Sequence, residues 1–240
     1  MPPAKKQRVK KAAERPSGKR PPSRLRQRKA PAFSAKFADV AGLRIIGGRF
    51  RGRKLAYSGD PRTRPMKDRV REALFNLLGR AVEGKTAIDL FAGTGALAFE
   101  ALSRGAARAV AIELHRPTAR LILENAAVLG ISAFQESRSV PEQGIAVVTG
   151  NTFHWAKQTT ELGALAWVVF CSPPYEFYQS QKDEMLKLLH QLIQAAPAES
   201  LFAVEADNRF DFNLLPSAAD WDIRNYPPAV LGIWEKPLES

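Results

Sequence analysis

Short apolar runs of strand length alternate with helical segments from residue 86 to residue 206, and this alternation constrains the fold more than any other feature of the chain. The predicted strands are residues 86–91, 107–113, 146–150, 165–171 and 200–206. Strands that are joined by helices pair in parallel. Residues 221–226 and 229–235 have no helix between them and predict a closing antiparallel hairpin. We therefore predict an α/β fold with a doubly wound, mostly parallel, seven-stranded sheet.

Positive charge is concentrated in the first third of the chain. The formal net charge is +12 over 240 residues, and residues 1–32 hold twelve lysines or arginines against one acid, Glu14. Residues 33–80 add twelve basic and four acidic residues, so the remaining two thirds are mildly acidic. A basic segment attached to an acidic body favours a nucleic acid as the partner, because phosphates bind lysine and arginine.

The same composition divides the chain into three predicted segments. Residues 1–36 are rich in Lys, Arg and Pro, show no periodic apolar face and are expected to be a disordered basic tail. Residues 37–82 are expected to form an N-terminal extension, with a short β-hairpin or bent ribbon over 43–57 and a helix that starts near Pro65. Residues 83–240 are expected to form the catalytic domain.

The chain lacks the usual signals for several other classes of protein. Cys171 is the one cysteine, so no intrachain disulfide can form, which fits a reducing cytoplasm. The three histidines are far apart in the sequence, which argues against a zinc site. No apolar run approaches the roughly 20 residues of a membrane-spanning helix. We expect a cytoplasmic monomer that binds neither metal nor membrane.

The first predicted strand ends in a glycine-containing turn, residues 89–96, which reads DLFAGTGA. Glycines in such a turn let a ligand approach the backbone closely. Glu113 ends the second strand, where an acid can accept hydrogen bonds from both ribose hydroxyls. A nicotinamide-binding fold shares this geometry, but Asp89, just before the turn, is less expected there. A ligand without phosphate, such as S-adenosylmethionine, needs polar anchors of that kind.

Ser172-Pro173-Pro174-Tyr175 follows the fourth predicted strand, where open α/β sheets bind their ligands. Two prolines fix the backbone, which aims the Ser172 hydroxyl and the Pro173 carbonyl into the crevice as acceptors. Two acceptors on an exocyclic amine hold its delocalised lone pair toward a methyl sulfonium, and Tyr175 offers a flat face for the base. A Pro-Pro-aromatic turn by itself is common, so its place after the glycine turn carries the prediction.

Four segments carry a resemblance to a known family. They are RIIGGRFRGRKL (44–55), TRPMKDRVREALFNLL (63–78), DLFAGTGALAFEALSRGA (89–106) and SPPY (172–175). Through them the chain from Leu43 to Glu235 resembles the bacterial 16S rRNA (guanine(966)-N(2))-methyltransferase family. The resemblance implies a class I, Rossmann-like methyltransferase fold that uses S-adenosylmethionine.

The resemblance also implies a role for each matching residue. The cofactor pocket would be lined by residues of the glycine turn, namely Asp89, Phe91, Gly93, Thr94 and Gly95. Glu113 would hold the ribose, and Asn151, just after the third predicted strand, would contact the adenine. The loop of Thr63, Arg64 and Pro65 would close over the methionine end of the cofactor.

One position departs from the family pattern. The family usually has Asp or Asn where this chain has Ser172. A hydroxyl can still accept a hydrogen bond, although the side chain is shorter than Asp and carries no charge. Activity is therefore expected, with Ser172, Pro173, Pro174 and Tyr175 as the catalytic motif.

A second group of basic residues lies on the glycine-rich segment ahead of the sheet. The four are Arg49, Arg51, Arg53 and Lys54. Their clustering favours contact with RNA phosphates over a merely solvated surface.

Three functions stay open at this point. The leading hypothesis is methyl transfer from S-adenosylmethionine to the exocyclic N2 amine of a guanine in 16S ribosomal RNA, with ribosomal RNA or a 30S assembly particle as partner. An adenine-N6 DNA methyltransferase can share the Pro-Pro-Tyr chemistry, but no span here is long enough for a target-recognition domain. The third is a non-catalytic RNA-binding assembly factor that has kept the fold.

Overall fold

The computed structural model describes Met1 and residues 42–60, 63, 65–135, 141–157 and 162–238. Contacts divide the chain into residues 1–31 and residues 32–240, and the fold is that of the second unit. Apart from Met1, the predicted disordered tail lies outside the described residues.

One sheet of eight strands runs through the described part of the chain. The strands are β1 (Thr86–Asp89), β2 (Arg108–Glu113), β3 (Ala133–Gln135), β4 (Gly144–Thr149), β5 (Trp167–Cys171), β6 (Leu201–Asp207), β7 (Asp222–Tyr226) and β8 (Ala229–Glu235). Their order across the sheet is β3-β4-β2-β1-β5-β6-β8-β7. All pairs from β3 to β6 are parallel, and β8 pairs antiparallel with both β6 and β7. The predicted doubly wound, mostly parallel sheet and its closing hairpin are confirmed.

The prediction of seven strands missed β3 at the edge of the sheet. Its three residues are all exposed, so no apolar pattern marks them as a strand. Parallel pairing with β4 holds them, with Ala133 opposite Ile145 and Gln135 opposite Val147. The count for the described residues is therefore eight.

Six α-helices are described, and they connect the strands. They are α1 (Asp68–Leu78), α2 (Ala96–Ser103), α3 (Arg116–Leu129), α4 (Thr152–Ala156), α5 (Phe177–Ser180) and α6 (Lys182–Ala195). The first helix begins at Asp68, later than predicted, and the buried Arg71 side chain donates to the Met66 carbonyl, just ahead of the helix, at 3.2 Å. The helices α5 and α6 are separated by Gln181, where φ is −131°.

Apolar side chains cover both faces of the sheet, because successive residues of a strand point to opposite sides. In β5, Val168 and Phe170 pack with α1, α2 and α3, while Val169 and Cys171 pack with α6 on the other face. The Phe75 ring of α1 lies 5.4 Å from the Phe170 ring, centroid to centroid. Because β1 and β5 are buried on both faces, their ends hold the loops of the site in fixed positions.

Residues 43–56 form an antiparallel segment, which we call the N-terminal ribbon. It is closed by a bridge between Arg44 and Lys54 and bends through a 3-10 turn at Gly48–Phe50. This is the bent form of the predicted hairpin. Gly48 has φ 70°, and a Cβ there would lie 1.9 Å from the Ser103 carbonyl oxygen of α2. The close approach requires glycine.

Polar side chains of α2 attach this ribbon to the sheet domain. The buried Glu100 carboxylate accepts hydrogen bonds from the Ile46 and Gly47 amides, both at 2.7 Å. The Ser103 hydroxyl accepts from the Phe50 amide at 2.9 Å. Because three ribbon amides are satisfied by one helix, the tip of the ribbon is fixed at the C-terminal half of α2.

Two features are absent from the described residues. No helix there is both long enough and apolar enough to cross a lipid bilayer. Nor does that part of the chain bring together three or more His, Cys, Asp or Glu side chains in an arrangement that could hold a metal ion.

Candidate active site

The carboxyl ends of β1 and β5 form the switch point of the sheet, where ligands bind in open α/β folds. The two strands pair in parallel, with Asp89 opposite Phe170. From β1 the chain proceeds to β2 on one side, whereas β5 and then β6 lie on the other. The glycine turn after Asp89 and the motif that begins at Ser172 therefore leave neighbouring strands at the same edge.

Two glycines give the turn after β1 its shape. Gly93 and Gly95 have φ values of 52° and 77°, in the region that favours glycine. A Cβ on Gly95 would lie 2.9 Å from the Phe99 ring and 3.0 Å from the Ile122 methyl group. A Cβ on Gly93 would meet only Thr63, at 3.7 Å. The turn is thus pressed against the core at Gly95 and left open at Gly93, where Thr63 of the predicted closing loop is its neighbour.

Asp89 is a buried acid at the start of this turn. Its Oδ2 accepts a hydrogen bond from the Ala98 amide at 3.3 Å, while Oδ1 has no hydrogen-bond partner among the described residues. Burial and, to a smaller extent, the charge of Glu113 raise the pKa of Asp89 to about 7, against the opposing effect of hydrogen bonds from backbone amides. The site therefore holds one unused acceptor atom on a carboxyl group that would gain stability from a nearby cation.

Glu113 connects the end of β2 to the glycine turn. Its Oε2 accepts from the Gly93 amide at 2.8 Å, and its Oε1 accepts from the His115 amide at 2.7 Å. Burial raises the pKa of Glu113, and the hydrogen bonds from these two backbone amides partly offset the rise. A carboxylate has about four acceptor positions, so both oxygens keep capacity for the predicted ribose hydroxyls.

Asn151 begins α4 at the end of β4. Its Oδ1 accepts hydrogen bonds from the amides of Phe153 at 2.8 Å and His154 at 3.3 Å, so the side chain caps the helix. The Phe153 ring packs edge-on against Phe91, with centroids 6.1 Å apart, and Phe177 packs on the same ring at 6.0 Å. The predicted adenine contact is thus a helix cap beside a cluster of three aromatic rings.

A buried side chain joins the glycine turn to the N-terminal ribbon. Asn125 of α3 exchanges two hydrogen bonds with the backbone of Ala56, at 2.7 and 3.1 Å, and donates to the Thr94 carbonyl at 3.4 Å. The chain then leads from Ala56 to Thr63 and Pro65. Arg64 of the predicted loop lies outside the described residues. Asn125 therefore fixes the end of the ribbon, at Ala56, to the glycine turn.

The predicted catalytic motif is held by a residue that the sequence analysis did not select, Glu205 of β6. The hydroxyl of Ser172 donates to Glu205 Oε2, and the Tyr175 hydroxyl donates to Oε1 at 2.8 Å. Pro173 is buried, and the Pro174 carbonyl accepts from the Phe177 amide at 2.9 Å as α5 begins. Ser172 and Tyr175 are half-buried, so part of each residue remains exposed.

Comparisons with known proteins show which family the chain belongs to. A family model described as conserved hypothetical protein 95 matches residues 43–223. Ribosomal RNA small subunit methyltransferase D of Escherichia coli (strain K12) is 35% identical over 181 residues, which are 75% of this chain and 82% of that protein. The chain belongs to this methyltransferase family. The resemblance predicted from the four sequence segments is thereby confirmed.

Solved structures show the same methyltransferase fold. A protein of Escherichia coli described as the methyltransferase yhhF is 30% identical, with a TM-score of 0.62, and the match covers 82% of this chain and 99% of that chain. An RNA methyltransferase from Salinibacter ruber, solved in complex with S-adenosyl-L-homocysteine, has a TM-score of 0.52 at 18% identity, over 74% of this chain and 96% of that chain. The second match shows the fold alone.

The basic residues predicted to bind RNA lie at a different edge of this methyltransferase. The helices return from the carboxyl edge of the sheet, so the C-terminal ends of α2 and α3 lie near its amino edge. Arg53 donates to the Val128 carbonyl near the end of α3 at 2.7 Å, and Arg49 covers the Phe50 ring at 4.5 Å. Arg51 and Lys54 are exposed on the same ribbon. The structure does not bring these four side chains to the glycine turn.

Sequence reasoning missed two acids: Glu205, which contacts the predicted catalytic motif, and Glu100, which holds the N-terminal ribbon. Each is one acid within an apolar element, SLFAVEA (200–206) and ALAFEALS (96–103). A buried carboxylate is costly unless it is hydrogen-bonded, so an isolated Glu in such a run indicates a partner elsewhere in the chain. That signal was present in the sequence, although it does not say which residue the partner is.

Proposed function

We propose that this protein transfers a methyl group from S-adenosylmethionine to the exocyclic N2 amine of a guanine in 16S ribosomal RNA. Its membership of the ribosomal RNA small subunit methyltransferase D family supports the coarser function, methylation of small-subunit ribosomal RNA. The observation that carries the finer proposal is the adjacency of two loops. The glycine turn and the Ser172–Tyr175 motif leave paired strands at one switch point.

The residues of the turn fit S-adenosylmethionine. The unpartnered Asp89 Oδ1 is a buried acceptor suited to a cationic ligand, and the open face of Gly93 lets a ligand approach the backbone. Glu113 takes the ribose hydroxyls, and the rings of Phe91 and Phe153 provide an apolar wall for the adenine. Bound S-adenosylmethionine supplies a methyl group on a sulfonium, the electrophile that an aromatic amine needs.

The motif residues hold the target base. A guanine must leave its stack to reach the strand ends, and RNA enzymes engage such splayed nucleotides. Tyr175 stacks on the guanine ring, while the Ser172 oxygen and the Pro173 carbonyl accept the two hydrogens of the N2 amine. Positioning of this kind, with electrostatic stabilisation, supplies most of the rate in a reaction that needs no enzyme nucleophile.

The N-terminal extension and ribbon bind the RNA outside the crevice. We keep residues 37–82 as this extension and 83–240 as the catalytic domain, with the buried Glu100 holding the two together. Arg49, Arg51, Arg53 and Lys54 contact phosphates of ribosomal RNA or of a 30S assembly particle, and the basic tail adds to them. The protein acts as a cytoplasmic monomer.

The ribbon is tested by the salt dependence of RNA binding. Substitution of Arg49 and Arg51 by Ala should make the slope of log K against log salt shallower by about 0.7–0.9 for each phosphate that is no longer neutralised. Arg224→Ala, which removes an exposed arginine of β7, is the matched control and should leave the slope unchanged. Equal slopes for wild type and the ribbon variant would move the RNA site elsewhere.

The proposed reaction is tested with S-adenosylmethionine that carries a labelled methyl group. The protein is incubated with 30S particles, with protein-free 16S RNA and with duplex DNA, and digested nucleosides are separated by mass spectrometry. We expect label in N2-methylguanosine from an RNA substrate. Label in N6-methyladenine from DNA would identify the DNA methyltransferase, and RNA binding without label in any substrate would identify the assembly factor.

A further inference from the structure

Glu205 joins two residues of the catalytic motif from a neighbouring strand. β5 and β6 pair with Cys171 opposite Val204, so Glu205 lies next to Ser172 across the strand ends. Its side chain is 7% exposed, and its two carboxylate oxygens accept the hydroxyls of Ser172 and Tyr175. Its backbone carbonyl accepts the Tyr178 hydroxyl at 3.0 Å. Three hydroxyl groups thus converge on one residue.

The partners of this carboxylate are unusual. Buried acids are commonly paired with lysine or arginine, because an isolated buried charge is strongly destabilising. Among the described residues, no ion pair involves Glu205. Ser172 and Tyr175 donate hydrogen bonds to it instead, and both are half-buried residues of the loop that follows β5. An acid that served only to stabilise the fold would not need to be placed against two residues of the motif.

We propose that Glu205 is a positioning residue for methyl transfer, which orients the Ser172 oxygen toward the target amine and receives the amine's proton through Ser172. The proposal rests on the proposed function, because it requires an amine in the crevice. It also gives Ser172 a role, since Ser172 and Glu205 together supply an acceptor at a position where the family usually has Asp or Asn.

The orientation follows from the hydrogen-bonding capacity of a hydroxyl group. A serine hydroxyl has one donor and two acceptor positions, and it rotates to suit its neighbours. When its proton is directed to Glu205, only lone pairs remain for the crevice. Donation to a carboxylate also strengthens the next hydrogen bond in the chain, so the oxygen becomes a better acceptor for an amine hydrogen.

The transfer step balances with these groups. The amine nitrogen forms a bond to the methyl carbon as the carbon–sulfur bond breaks, and that electron pair returns to sulfur. The nitrogen then loses one proton to the Ser172 oxygen, while the Ser172 hydroxyl proton passes to the Glu205 carboxylate. One positive charge on sulfur and one negative charge on Glu205 are both neutralised, and the product is a secondary amine.

The surroundings of Glu205 favour this gain of a proton. Burial raises the pKa of Glu205, and the hydrogen bonds from Ser172 and Tyr175 lower it again. The other groups that face it are the Tyr178 hydroxyl of α5 and the apolar Leu231, its neighbour on β8. The carboxylate is therefore readier to accept a proton than an exposed glutamate would be.

A set of three variants tests the pair, with single-turnover methylation of the accepted RNA as the measurement. Glu205→Gln cannot accept a proton and should lower the rate at least tenfold. Ser172→Asp alone should also lower it, because two adjacent carboxylates repel and share a proton. The double variant Ser172→Asp/Glu205→Gln should recover most of the rate, since Asp supplies the acceptor directly. Exposed Glu235→Gln is the matched control and should match wild type.

Rescue separates this proposal from a structural role. If Glu205 only stabilises the fold, the double variant will be no faster than Glu205→Gln, and the proposal is overturned. Cofactor affinity and melting temperature are measured for every variant, so that loss of folding is recognised. If the wild-type chain methylates a different amine, the proposed function falls, and the same four rates measured on that amine decide the role of Glu205.

A second measurement needs no bound cofactor. The Glu205 carboxyl carbon is followed by NMR during a pH titration of protein labelled with ¹³C glutamate, and its signal is assigned as the one that disappears in Glu205→Gln. Ser172→Ala should raise the pKa of Glu205 further, because a hydrogen bond that favours the charged form is removed. An unchanged titration in Ser172→Ala would show that the hydroxyl does not donate to Glu205, which would refute the proposal.

Discussion

The two halves of the crevice are formed by different parts of the residues, one by the backbone and the other by side chains. The cofactor half is made of backbone, in which two left-handed glycines and the amides held by Glu113 shape the turn. The acceptor half is made of side chains, in which the hydroxyls of Ser172 and Tyr175 meet one carboxylate. Backbone geometry admits few residue types at a position, whereas a side-chain network tolerates any group that preserves its donors and acceptors. The first half should therefore be fragile to small substitutions and the second should be replaceable.

The largest expected effect concerns Asp89, the buried acid of the cofactor half. The pKa of Asp89 is raised to about 7 in the folded protein, so its contribution to stability is complete below about pH 4 and is lost as the pH rises through 7. A shift of about three units corresponds to roughly 4 kcal/mol. Urea unfolding should show Asp89→Asn gaining stability relative to wild type between pH 5 and pH 8, and calorimetry should show weaker cofactor binding.

Asp207 provides the control of opposite sign. Its hydrogen bond with Arg209 lowers the pKa of Asp207, so the stability it contributes is present above the unfolded pKa and is lost only in acid. The difference in stability between Asp207→Asn and wild type should be the same at pH 5 and pH 8. If the difference in stability between Asp89→Asn and wild type is also the same at pH 5 and pH 8, ionisation of Asp89 does not destabilise the fold.

A single added methyl group should disrupt the cofactor half. Gly95→Ala forces a Cβ to within 2.9 Å of Phe99 at φ 77°, which moves the turn away from the core. We expect cofactor affinity to fall at least a hundredfold, about 2.7 kcal/mol. Gly130→Ala, with φ 72° and open space around it, carries the same backbone strain without the contact and should bind the cofactor normally. Similar affinity in both variants would remove the claim that this turn must be glycine.

The sequence predicted the cofactor half better than the acceptor half, for a physical reason. Glycine spacing and apolar runs are local signals, so the turn after Asp89 and the strands that hold it were identified directly. Glu205 lies 33 residues from Ser172, and their contact depends on the pairing of β5 with β6. The same reasoning applies to Glu100, whose amide partners lie 53 and 54 residues away. Edge strand β3 was missed because its exposed residues carry no pattern.

Two variants of Tyr175 should separate the effect of stacking from that of hydrogen bonding in the acceptor half. Loss of a base–aromatic stack costs about 1–3 kcal/mol, so Tyr175→Ala should lower single-turnover methylation by about tenfold or more. Tyr175→Phe keeps the ring and loses the hydroxyl that donates to Glu205, so its rate should lie between those of Ala and wild type. Cofactor affinity should stay unchanged in both. Equal rates for Phe and Ala would assign the effect to the hydroxyl group and exclude stacking.

The smallest effect is expected for Ser172→Asn, and it is the sharpest contrast with Gly95→Ala. An Asn amide group donates to Glu205 as the serine hydroxyl does, while its carbonyl oxygen accepts from the target amine. It also restores a residue that the family usually has at this position. Single-turnover methylation should therefore lie between the rates of wild type and Ser172→Ala, because both hydrogen bonds, each worth about 0.5–1.5 kcal/mol, are kept while the proton relay through the hydroxyl is lost. Ser172→Ala, which removes both functions, should be clearly slower than Ser172→Asn. If the Asn variant is as slow as the Ala variant, the acceptor half is as intolerant as the glycine turn, and the distinction between the two halves fails.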